Sequence, residues 1–405
     1  MDAAKLQSHG DRELSEKLRA EPLVVKVNEE IEKEEEKSPK GVRRHLLATS
    51  LRLTEAMMPG MHKTVAECRE RLGIEIPLEL YVYPSATFNA ACIKPEAGRL
   101  FIMVSSSLLE GFPDDERRFV LGHELAHHLY GHHDIPIGFI LNGKRPAPPD
   151  LALRLFAWSR YAEISADRAG AYCSNNPDAV ARSLFRLASG MSGDLSSINI
   201  EGFAEQVDDL QTEQQEPGSK TPQADWFSTH PFSPLRLKAV RHFFDSELFK
   251  EDGIKTATLE AHVQALMSLM EPSYLEEKSE GAETARRLLF AAAIAVADAA
   301  DGISEEEIAA FEKFFGADSF SRKLDIEAIK GTLDARLRDA MEKVSHVRRI
   351  QVLRDLCVIA RADGDVQEAE YVVVKKVAAE LEVPFEIVSE TLCGNCDFNT
   401  GVHQA

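Results

Sequence analysis

The stretch that most constrains the fold is RRFVLGHELAHHLYGHHDIP, residues 117–136, which holds five of the chain's 13 histidines within eleven positions. His123 and His127 stand four apart, so on a helix their imidazoles lie one above the other and can share one metal ion. Glu124 shares that face, placed to take a proton from attacking water. Apolar Phe119, Val120, Leu121, Leu125, Ala126 and Leu129 surround these residues. The segment therefore reads as a buried helix, in which clustered imidazoles need partners or a metal. Its start is predicted at Pro113 or Asp114, because proline suits a first helical position and the following acids complement the positive end of the helix dipole.

Two residues compete as the third ligand. His133 stands six residues after His127, the spacing of the metzincin pattern His-Glu-x-x-His-x-x-Gly-x-x-His. The bend glycine of that pattern falls on Tyr130, and the chain's glycine comes one place late, at Gly131. Glu163, in YAEISADRAG, lies on a second predicted helix and completes a His, His, Glu set with one position open for water. Asp167, one turn further on, has the reach to accept a hydrogen bond from the outer nitrogen of a ligating histidine and fix its tautomer. Either choice implies one zinc ion per chain.

The flanking sequence supplies a small sheet. LELYVYP alternates like a strand, and FNAACIKPEAGRLFIMVSS reads as two strands joined by a turn at Pro95–Gly98. Helical spacing appears in VRRHLLATSLRLTEAMMPG, in MHKTVAECRERLGI and in the long run LALRLFAWSRYAEISADRAGAYCSN. NGKRPAPPD, residues 142–150, is predicted as a loop, and residues 205–225 as a polar loop without periodicity. Loops 137–150 and 205–225 are the expected gates of the site. Residues 1–42, with NEEIEKEEEKSPKG, are expected to form a charged, solvated arm. The fold class is α+β and mainly helical. The expected organisation is the arm, a metal-binding domain with a small sheet over 43–250, a helical linker over 251–279, an all-helical domain over 280–392 and a tail over 393–405.

YPSATFNAA, RLFIMVSSSLLEG, LGHELAHHLYGH, EISADRAG and STHPFSPLRL occur in an order that resembles the HtpX-like and CAAX prenyl protease-like zinc metallopeptidases, within the gluzincin group, over about residues 80–240. The resemblance implies a zincin-like domain with His123, His127 and Glu163 as zinc ligands, Glu124 as general base and Asp167 as their support. It implies that Asn89 and the strand carrying Arg99, Phe101 and Met103 hold the substrate backbone, and that His230 of THP stabilises the oxyanion. Arg236 is expected to tie the last helix of this region to the site. Familiar members carry membrane-spanning helices, whereas the longest apolar run here, LLFAAAIAVADAA, is far short of the roughly 20 residues a span requires. The expected activity is zinc-dependent endopeptidase cleavage of peptides or unfolded proteins. A contrasting reading is a zinc-bound, non-catalytic scaffold in a stress response, which intact Glu124 disfavours.

AIAVADAADGISEEE and LCVIARADGDVQEAE form a pair of related helix-turn-helix pieces that resemble a TerB-like domain, associated with tellurite resistance. That resemblance implies an interaction or sensing module and a protein partner through residues 280–392. With Asp363 as the first position of a calcium loop, the required glycine and terminal glutamate are replaced by Glu368 and Val374. The Asp301-Gly302 and Asp363-Gly364 turns therefore read as helix connections. A formal charge of −20 disfavours nucleic acid and anionic lipid as partners. Six scattered cysteines fit a reducing cytoplasm, with no leader evident at the start, and CGNC near the end supplies only half of a four-sulfur site.

Overall fold

A computed structural model of the chain describes residues 2–37, 41–143, 147–214, 222–275, 277, 279–299, 302–317, 319–320, 324–364, 366–384 and 386–388. The chain divides into two compact units, one of residues 1–207 and 227–259, the other of residues 208–226 and 260–405. The Asp301 turn residue and the CGNC cysteines lie outside the described residues.

The first unit opens with α1 (His9–Arg19), α2 (Pro22–Lys37), α3 (Val42–Thr49), β1 (Leu51–Leu53) and α4 (Pro59–Leu72). Then come β2 (Leu78–Tyr83), β3 (Ala90–Glu96), β4 (Arg99–Ser105), α5 (Ser106–Gly111) and α6 (Asp114–Leu129). After α6 the chain forms α7 (Ile137–Leu141), α8 (Pro149–Ser174), α9 (Pro177–Ser189), α10 (Glu201–Gln214), α11 (Gln223–Trp226) and α12 (Ser233–Phe244). The four strands are ordered β1-β2-β4-β3, with β2 and β4 parallel and the outer pairs antiparallel. Ala97 and Gly98 adopt left-handed backbone, φ 50° and 70°, and close the tight β3–β4 turn.

α6 starts where its sequence signals place it, with Asp114, Asp115 and Glu116 in the first turn. It packs along α8, against α4 and α9, and beside β3. Two glycines make the α6–α8 approach possible: a Cβ on Gly122 would lie 2.9 Å from Cys173 Sγ, and one on Gly170 would lie 2.6 Å from the Phe119 carbonyl oxygen. The core between them includes Phe119, Leu121, Leu125, Ala166, Ala169 and Cys173.

Four sequence expectations are corrected, the first being the helical spacing through Leu51–Leu53, which pairs with β2 as the edge strand β1. The N-terminal segment is not a solvated arm: Leu6, Asp11, Leu18 and Val24 are each 0% exposed, and α1 lies on α8. Its charged residues obscure a one-sided apolar stripe that includes Leu14 and Leu18, four apart. Residues 205–214 are helical within α10, because Phe203, Val207 and Leu210 recur at helical spacing, and Val207 is fully buried. Within 137–150, Ile137–Leu141 is helical in α7, with Ile140 buried.

The second unit is helical. It contains the later part of α10, α11, the later part of α13 (Thr256–Ser268), then α14 (Glu280–Ala297), α15 (Glu305–Phe315), α16 (Ile326–Lys330), α17 (Leu333–Lys343), α18 (His346–Ala360) and α19 (Glu368–Glu380). Alanine-rich α14 is buried along most of its length and packs against α17, α18 and α19. Small side chains permit that close surround. The two related turns end alike: Ser304 with Glu307, and Gln367 with Glu370, form reciprocal capping boxes that start α15 and α19.

Candidate metal centre

α6 and α8 bring His123, His127 and Glu163 together, their donor atoms all within 4.8 Å of one another. The two histidine Nε2 atoms are 3.2 Å apart. Glu163 Oε2 lies 3.5 Å from His123 Nε2, and Oε1 lies 3.6 Å from His127 Nε2. At zinc–nitrogen bond lengths of about 2.0–2.1 Å, neighbouring ligands of a tetrahedral ion stand roughly 3.3 Å apart, which these separations approach. Two imidazoles and a carboxylate are also a zinc donor set by type.

The electrostatics demand positive charge at this point. Burial alone would lower His123, but the Asp167 and Glu163 carboxylates outweigh it and push the imidazole up to about 10. Burial likewise opposes ionisation of Glu163, yet His123 and Arg236 hold its carboxyl well below the usual range. Asp167 Oδ1 sits 3.0 Å from His123 Nδ1. Arg236, from α12, donates to both Asp167 oxygens, Nε at 2.8 Å and an Nη at 2.7 Å, and approaches Glu163 at 3.5 Å. α12 is thus tied to the site as expected, through a buried bidentate pair.

Glu124 accepts a 2.8 Å hydrogen bond from the Cys92 backbone N–H of β3. Its burial raises the carboxyl, against the pull of His123. His230 Nε2 is 3.5 Å from Glu163 Oε1, while Nδ1 is 2.9 Å from Thr229 Oγ1; the ring is 62% exposed. Asn89 donates instead to the Tyr83 hydroxyl at 3.0 Å. His133 stays out of the ligand cluster, and its Nε2 is buried without a hydrogen-bond partner.

The expected substrate strand is corrected. β4 is paired on both sides, by β2 and β3, so its backbone has no free edge. Phe101 is 1% exposed and packs on Tyr81 and Leu46, and Arg99 faces Glu79 at 3.5 Å. Alternation toward a core and alternation toward a substrate look the same in sequence. The open edge beside Glu124 belongs to β3. Its Cys92 N–H points off the ladder toward Glu124. A cavity of about 670 Å³ adjoins this edge, lined by His127, Glu163, Lys94, Ile135, Phe139 and Trp158 among others.

Comparison with known proteins agrees with this geometry. A family profile described as Peptidase family M48 matches residues 57–142 and 149–243, and one described as Tellurite resistance protein TerB matches residues 286–388. The chain carries an M48 domain followed by a TerB domain. It is 28% identical over 234 residues to the plastoglobule-localized metallopeptidase 48, chloroplastic, of Arabidopsis thaliana, covering 54% of this chain and 66% of that protein. It is 27% identical over 171 residues to the protease HtpX homolog of Nostoc punctiforme, covering 33% of this chain and 58% of the relative. Identity to the protease HtpX of Shewanella piezotolerans is 42% over 65 residues, 16% of this chain and 22% of the relative. The chain therefore spans about two thirds or less of these relatives. No solved structure gave a significant match. Among the described residues no helix is long and apolar enough to cross a membrane.

The M48 match begins at residue 57, so α1 itself lies outside it. His132 Nδ1 lies 2.8 Å from His127 Nδ1, and His132 Nε2 lies 3.0 Å from Asp11 Oδ2. Sequence spacing could place His132 near the helix end, but Asp11 is 121 residues away from it. Its only local signals are Ser8 as a helix cap and the apolar stripe of α1.

Proposed function

We propose that the M48 domain is a zinc-dependent endopeptidase that cleaves peptides or unfolded proteins, with His123, His127 and Glu163 holding one ion. The supporting observation is the donor triad on α6 and α8 with Glu124 one residue from its first ligand. Zinc, when bound, supplies Lewis acidity that polarises the scissile carbonyl and makes water a stronger nucleophile. Glu124 takes the proton from the attacking water and returns it to the leaving amine. Its bond to Cys92 N–H occupies one carboxylate oxygen and fixes its aim.

The substrate lies extended along the open edge of β3, where main-chain hydrogen bonds set register with little demand on sequence. Only a chain that can straighten there fits, which favours peptides and unfolded segments. Apolar walls from Ile135, Phe139 and Trp158 take a hydrophobic substrate side chain. His230, exposed beside Glu163, steadies the developing oxyanion. Asp167 and Arg236 keep His123 in place, and the TerB domain docks a protein partner.

The test is cleavage of an unfolded casein-type substrate and of a folded control. Turnover of the former should vanish with a chelator and return with one equivalent of zinc. Cleavage that survives complete metal removal would refute the reading, and stoichiometric zinc without turnover would favour the scaffold alternative.

A further inference from the structure

We propose that Asp11, from a helix outside the M48 match, is a positioning residue of the metal centre that acts through His132 on the ligand His127. This rests on the zinc reading of His127. Asp11 is fully buried, and its carboxylate is faced by four groups able to donate. Trp158 Nε1 reaches Oδ1 at 3.0 Å. Ser165 Oγ at 2.7 Å, Gln7 Nε2 at 3.0 Å and His132 Nε2 at 3.0 Å all reach Oδ2. An ionised carboxylate only accepts, so a neutral His132 imidazole carries its proton on Nε2 and presents an unprotonated Nδ1. That atom faces His127 Nδ1 at 2.8 Å. A contact this short needs one proton between the two nitrogens, so His127 supplies it from Nδ1. His127 Nε2 is then left unprotonated, as a metal ligand must be.

The site thus has two matched supports. Asp167 fixes His123 directly, while Asp11 fixes His127 through one intervening imidazole. Burial opposes ionisation of Asp11, but the hydrogen bonds from His132, Ser165 and Gln7 hold the carboxyl below its ordinary value.

The N-terminal segment is built to hold Asp11 in place. Ser8 caps α1 and binds Ser165 Oγ through its backbone N–H at 3.0 Å. A Cβ on Gly10 would sit 2.5 Å from the Tyr161 ring, so α1 lies close on α8 beside Asp11. Arg19 donates to the Tyr130 and Gly131 carbonyls, and Asn28 donates to the Asp134 carbonyl, which brackets the turn that carries His132.

The experiment measures zinc affinity of the full chain by competition with a chromophoric chelator, with circular dichroism to establish folding. Asp11→Asn keeps the volume but places an amide donor against either Trp158 or His132, and zinc Kd should rise on the order of 10–100-fold. His132→Phe keeps a ring against Trp158 and should weaken zinc by a similar factor. Asp11→Asn added to His132→Phe should then cost nothing further in affinity, a non-additivity that a merely structural role would not produce. Wild-type affinity in a folded Asp11→Asn variant would overturn the proposal, as would additive losses. If Asp11→Asn does not fold, His132→Phe decides alone, and wild-type zinc affinity there overturns the proposal. A wild-type chain that takes up no zinc overturns the underlying metal reading, and the relay with it.

Discussion

At the scale of single residues, the division of labour is between groups that hold charge and one that moves a proton. Glu163 and Asp167 are both engaged by His123 and Arg236, whereas Glu124 is held by one backbone N–H. Glu124→Gln keeps the size and the acceptor for Cys92 but cannot cycle a proton. Zinc content, measured by elemental analysis, should stay at one per chain, while kcat falls by about 10²–10⁴-fold. Unchanged kcat would remove Glu124 from that role. These residues were legible in the sequence because helical spacing is local chemistry: His123, Glu124 and His127 declare their shared face. Arg99, Phe101 and Met103 misled because period-2 alternation says which residues face alike, and only strand order says which strand is open. Asp11 was hidden because three of its four partners lie 121 to 154 residues away.

At the scale of elements, the centre exists only if α6 and α8 approach closely, and glycine sets that distance. Gly170 sits opposite the Phe119 carbonyl oxygen and the His123 backbone nitrogen, where a Cβ would lie at 2.6 and 3.1 Å. Both contacts are backbone, so neither can swing aside. Gly170→Ala should push α8 from α6, cost about 1–3 kcal/mol in urea unfolding and loosen zinc together with stability. The same change at Gly60, which has nothing within 4 Å of its Cβ, provides a control in another helix, and equal behaviour of the two variants would contradict the spacing argument. α6, α8 and the start of α6 were legible in caps and periodicity. The separation of the two helices was not, because a glycine inside a helix shows its purpose only when its neighbour is known.

At the scale of the whole chain, the two units have separate apolar cores, one around Leu121, Leu125 and Ala169 and one around Leu289, Leu353 and Val377. They should respond to different conditions. The proposed zinc ligands all belong to the first unit, so in calorimetry a zinc excess of about 1,000 Kd should stabilise that unit's transition by about 4 kcal/mol. The second unit should respond to pH through Glu370, which is 2% exposed. Burial, with the Glu307 and Asp363 carboxylates, pushes it up to about 7 from 4.5, although the Gln367 backbone N–H opposes this. A carboxyl raised in the folded state keeps its proton where the unfolded chain has lost its own. Its stabilising effect is therefore full below pH 4.5, declines as pH rises toward about 7 and is flat above that. Moving from about pH 8 to about pH 5 should raise the second unit's Tm, and Glu370→Gln should remove most of that rise while leaving the zinc response of the first unit intact. An equal pH response in wild type and Glu370→Gln would show that the paired capping glutamates do not set it.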